Sequence, residues 1–115
     1  MTDQYDDEYR LRRHRQFVLE LEREIGQLNR GIVHERMPHL NRARCLELAA
    51  AVARSRAEYL ELALRMSSAE PENSMTERGI GELASARQRF EELREAFTAM
   101  ERAIECGYVD VELPS

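Results

Sequence analysis

His34, Glu35, Pro38 and His39 fall within the stretch HERMPH, and with Cys45 and Cys106 they are the residues of this chain best suited to chemistry. Imidazole and thiolate are preferred zinc ligands. The stretch is close to the zinc-protease pattern HExxH, but an extra residue and a proline keep its two imidazoles off a common helical face. A di-iron bundle needs Glu three places before a His on facing helices. None of His14, His34 and His39 meets that condition. In an up-down-up bundle, His34, His39, Cys45 and Cys106 would all fall toward one end, so a zinc site built from these four is an alternative reading. Against it, His39 and Cys45 are about 240° apart around a helix, and Cys45 lies in an apolar seam where cysteine serves as a small hydrophobe.

A second chemistry is phosphotransfer. The run HLNRARCLELA, from His39 to Ala49, resembles in part the active helix of histidine phosphotransfer domains. There an exposed His is followed by a basic residue at the fourth place and a small one at the fifth. Arg42 and Ala43 hold those places, and Leu48 and Ala49 stand near the family's Leu-Gly end. The resemblance implies a phosphoryl-accepting role for His39, with a kinase or response regulator as partner. It covers these eleven residues alone. Asn41 stands where an apolar residue is usual, Ala43 and Ala49 replace glycines, Pro38 puts His39 at a helix start, and the family's four-helix bundle exceeds the three helices counted below.

Neither a Ser-His-Asp nor a Cys-His arrangement with its supporting groups can be assembled, and the glycines of RGIGELASA open a helix with no strand before them. A non-enzymatic protein without a cofactor is expected. The stretch from Gly31 to Arg42 then reads as a joint: Pro38 lacks an amide hydrogen, fits only the first turn of a helix, and pushes Met37 toward extended geometry.

The elements around that joint follow from spacing. After the acids Asp6, Asp7 and Glu8, which suit a helix N-terminus, Leu11, Val18, Leu21, Ile25, Leu28 and Ile32 form a heptad seam interrupted by His14, a polar position that sets register. Gly26 and Gly31 weaken this helix, which ends near Arg30 or runs to about Arg36. A second seam carries Cys45, Leu48, Val52, Tyr59, Leu62 and Met66, with Ser55 among them. This helix is also apolar beside the seam, so it is expected to touch more than one neighbour. The polar turn SSAEPENS follows, and Ser74 with Glu77 forms a capping box. The third seam, Leu83, Ala86, Phe90, Leu93, Phe97, Met100 and Ile104, keeps the heptad without a fault. Gly107 offers a left-handed cap, with Tyr108 folding back on the last turn. In the tail, Val109, Val111 and Leu113 alternate with Asp110 and Glu112 at strand spacing. An extended tail over the bundle end is favoured over a segment that joins a partner's sheet edge.

The expected fold is therefore all-α: one domain over residues 1–115, with three long antiparallel helices at about 7–36, 39–66 and 75–106 in an up-down-up bundle with coiled-coil-like seams, and a short extended tail at 108–115. The chain has 115 residues, 34% of them charged, and a net charge of −5. That balance disfavours general nucleic-acid binding. The Arg-rich run RLRRHR reads as a solvated helix face. All 17 basic residues are Arg, the mark of a GC-rich and bacterial-type genome. The acidic start MTDQYDDEY lacks the form of a targeting segment, no stretch approaches membrane-spanning length, and two unpaired cysteines suit a reducing compartment. A cytoplasmic protein that binds neither membrane nor nucleic acid is expected. Three amphipathic helices make a thin core, and the surplus apolar arc of the second, at Leu46, Ala50, Ala53, Ala57, Leu60 and Leu64, would remain partly in water. That arc is the expected binding surface, for a partner protein's helix or for a second copy in a homodimer, in the manner of an adaptor or export chaperone.

Overall fold

The computed structural model describes residues 2–68 and 76–113. The chain is all-α, with three long helices: α1 (Thr2–Arg36), α2 (Arg42–Met66) and α3 (Glu77–Glu105). Among the described residues there is no strand, only one isolated parallel bridge between Asn41 and Glu112. The residues pack as two compact units. One comprises α1 up to Pro38 together with Ala103–Asp110; the other comprises His39–Arg102 with the residues from Val111 on.

In the first unit, α1 begins before the acids that the sequence places ahead of it, so Asp3, Asp6, Asp7 and Glu8 lie within its opening turns. There they complement the partial positive charge of the free amides. The helix passes through Gly26 and Gly31 and closes with the Met37 amide donating to the carbonyls of Val33 and His34, at 3.1 and 3.2 Å. It can go no further, because Pro38 has no amide to donate and restricts the residue before it. The other segment of this unit ends α3 as its sequence predicts. Gly107 takes a φ of +75°, its amide donates to Ile104, and the Tyr108 amide reaches back to Ala103 at 2.8 Å. This is the paired 6→1 and 5→2 bonding that satisfies the last carbonyls of a helix and needs a residue tolerant of positive φ.

Arg30 ties the two segments of this unit together. Its guanidinium donates to both carboxylate oxygens of Asp110, at 2.7 and 3.2 Å, and to the Gly107 carbonyl at 2.9 Å. The hydrogen bonds from Arg30, then its charge, and to a lesser degree the nearby His34, hold the Asp110 carboxyl below the usual carboxylate range. A carboxylate depressed in the folded state contributes stability above its unfolded value and loses it as pH falls through the folded one. Asp110→Asn should therefore lower the melting temperature slightly at neutral pH, the pair being exposed. The gap to the parent protein should close on acidification below the ordinary carboxylate range, as thermal scans at stepped pH will show; a gap independent of pH contradicts the assignment.

In the second unit, α2 starts at Arg42 rather than at His39. Asn41 is its N-cap, with extended backbone and a side-chain oxygen accepting from the Arg44 amide at 2.9 Å. Asn caps better than His because its short amide reaches the free donors of the first turn. Pro38 and His39 consequently lie in the turn ahead of the helix, not in its first turn. The third helix also begins later than a box of Ser74 with Glu77 implies. Thr76 caps it, accepting from the Gly79 amide at 3.0 Å, and Ser74 lies outside the described residues, as does Pro71.

Helices α2 and α3 are antiparallel neighbours. Glu58 pairs with Arg89 at 2.9 Å, Tyr59 stacks on Phe90, and Met66 lies so near Gly79 that a Cβ there would come within 3.2 Å of its methyl carbon. Every position of the two seams read from the sequence is buried or half-buried, from Cys45 to Met66 and from Leu83 to Ile104. The core is nonetheless thin. Leu40, Val52 and Ala86 are its buried apolar residues among those described, and Ser55 joins them with its hydroxyl donating to the Val52 carbonyl at 2.8 Å; Val109 is buried in the first unit.

Candidate functional site

The joint residues engage the tail rather than converge on a site. In the first unit, the Asp110 amide donates to Nδ1 of half-buried His34 across 3.4 Å. In the second, exposed His39 meets the Glu112 carboxylate through Nδ1 at 2.8 Å, while the Glu112 amide donates to the Leu40 carbonyl at 2.7 Å. Each histidine is thus a fastening for the residues after Gly107. An exposed pair such as His39 with Glu112 contributes little to stability, but the Leu40 bond satisfies a backbone group beside a buried leucine. His34 and Cys106 belong to one unit, His39 and Cys45 to the other. Cys45 is half-buried and Cys106 exposed, both as free thiols. Among the described residues, no three His, Cys, Asp or Glu side chains are grouped so that they could hold a metal ion. His39 stands in the turn before α2, so it does not share a helix with Arg42 and Ala43, as the phosphotransfer resemblance requires.

The arc on α2 has a different character. Leu46, Ala50, Ala53, Ala57, Leu60 and Leu64 follow one another in steps of four and three, which keeps them on one stripe. At 100° per residue this stripe is centred about 150° from the seam that meets α3. Its leucines are 60, 51 and 72% exposed at positions 46, 60 and 64. Ala53 and Ala57 are exposed between them and Ala50 is half-buried. The helix therefore has two heptad stripes, one covered by α3 and one open. Glu47, Glu61 and Arg65 lie beside the open stripe, Glu47 paired with Arg44 at 3.0 Å and Glu61 with Arg65 at 2.9 Å. An apolar line with charged borders is the form of a surface that accepts an amphipathic helix.

A second exposed apolar stripe lies on α1, whose heptad predicts a bundle seam. Leu11, Val18, Leu21, Ile25, Leu28 and Ile32 are 40 to 62% exposed. The positions of α1 that are half-buried are Gly26, Asn29, Val33 and His34, a separate stripe. The sequence signal was present, since the heptad itself announced an apolar face; what it lacked was any indication of what covers that face.

Among the described residues, no helix is long and apolar enough to cross a membrane. No protein-family model, curated protein or solved structure in the comparisons matches the chain.

Proposed function

We propose that this chain is a non-enzymatic protein-interaction module that holds a partner's amphipathic helix along the open stripe of α2, in the manner of an adaptor or an export chaperone. The observation that carries this reading is the exposure of Leu46, Leu60 and Leu64 on a helix whose opposite face is already paired. Burying a fully exposed leucine contributes about 1.5–3 kcal/mol, and the three in one line offer part of that each, with alanines between them that let a second backbone come close. Glu47, Glu61 and Arg65 beside it would set the register of the incoming helix.

Leu60→Glu with Leu64→Glu is the test. Both side chains are exposed, so folding stability should change by no more than about 0.5 kcal/mol for each, while quantitative co-purification from the native host should lose its specific partners about tenfold or more. Hydrogen exchange of the parent complex should show protection over residues 46–64 on partner binding. An unchanged partner set, or protection confined to other helices, would sink the reading.

A further inference from the structure

We infer that α1 is a self-association helix, and that two copies of the chain join through an antiparallel coiled coil of their α1 seams. The inference is independent of the α2 reading, because it uses a different helix. Along Asp3–Ile25 every residue of α1 is exposed. Helices in water owe most of their stability to packing an amphipathic face, and a lone helix with interior glycines is marginal. Within its own unit, α1 is accompanied only by Ala103–Asp110, which is bonded to it at Arg30 and His34. The seam itself has the composition of a two-stranded coiled coil, with Val18, Ile25 and Ile32 alternating with Leu21 and Leu28.

The charges name the occupant. Read along α1, Asp3, Asp6, Asp7 and Glu8 make an acidic block, and Arg10, Arg12, Arg13 and Arg15 a basic one. Glu20, Glu22 and Glu24 then restore negative charge around Arg23, and Arg30 and Arg36 follow, with Glu35 the acid among them. An order of minus, plus, minus, plus is complementary to itself when reversed. Two parallel copies in register would set each block against its own sign. Overlapped antiparallel along the full helix, Val18 layers with Leu21 of the second copy, His14 with Ile25, and Leu11 with Leu28. In that register Arg15 and Glu22, each flanking the seam just after positions 14 and 21, face one another twice by symmetry.

Sedimentation of the full chain at low and high salt tests this. A dimer is expected, weakened by salt and converted to monomer by Leu21→Glu, whose side chain is exposed in the single chain and so does not endanger its fold. Arg15→Glu alone and Glu22→Arg alone should each raise the dissociation constant about tenfold, and the double exchange should restore it to within about threefold. A monomer at all concentrations, or a dimer indifferent to Leu21→Glu, overturns the proposal. Tighter association of Arg15→Glu alone also does so, since only a parallel pair, with Arg10 beside position 15, would gain from it. A dimer lost in the Leu60→Glu, Leu64→Glu variant but kept in Leu21→Glu would place the contact on α2 instead.

Discussion

Phe90→Ala is expected to cost about 3 kcal/mol of folding stability and to lower the melting temperature by about 15 °C. The ring lies on the α3 seam that faces α2. It stacks with Tyr59 at 6.2 Å between centroids and 24° between planes. The Arg56 and Arg94 guanidiniums lie over it at 5.1 and 5.4 Å. Aromatic pairs contribute about 0.5–1.5 kcal/mol beyond the area they bury, and each exposed cation over a ring about 0.5–1 kcal/mol. Because the ring is only half-buried, the cost stays at the low end for a phenylalanine truncation. Phe90→Leu keeps most of the volume and loses the ring interactions, so it should cost about half as much. Urea titration followed by circular dichroism provides the comparison, and a loss below about 1 kcal/mol for the alanine variant would show that the helices pair by other means.

Ala86→Leu should destabilise by about 2 kcal/mol, although leucine is a good helix former and the substitution adds apolar surface. Ala86 is 1% exposed, the most closely covered position in the described chain. It sits on the α3 seam between Leu83 and Phe90, where the small side chain lets the helices approach. Three more carbons there must displace a neighbour or move a backbone. Ala84→Leu, on the open side of the same helix, should change stability by no more than about 0.5 kcal/mol. Equal effects at the two positions would mean that α3 does not pack at Ala86 as described.

Both variants act on the closed side of the molecule, and both leave the two open stripes intact. That separation matters for function: a surface available for binding is one whose residues can be changed without loss of fold. Leu46, Leu60 and Leu64 on α2 are exposed, and so are Leu11, Val18, Leu21, Ile25, Leu28 and Ile32 on α1, so that substitution there is expected to spare the fold. His34 and His39 are spent on the backbone of Asp110 and the carboxylate of Glu112.

Residues near in sequence were enough to find all three helices, the seams of α2 and α3, the proline that separates α1 from α2, and the glycine that ends α3: a repeat of three and four, a missing amide, a tolerated positive φ. Local chemistry placed the helix starts less well. Asn41 and Thr76 hold the caps, so α2 begins after His39 and α3 after Thr76, and only backbone geometry reveals which of several short polar residues meets the free amides. The tertiary structure alone decided which apolar stripes are covered. An amphipathic pattern states that a face must leave water but not what it will meet, so the α1 seam and the α2 seam look alike on paper while one is open and the other closed. It also decided that Arg30 binds Asp110, a pair separated by 80 positions that no local spacing could join.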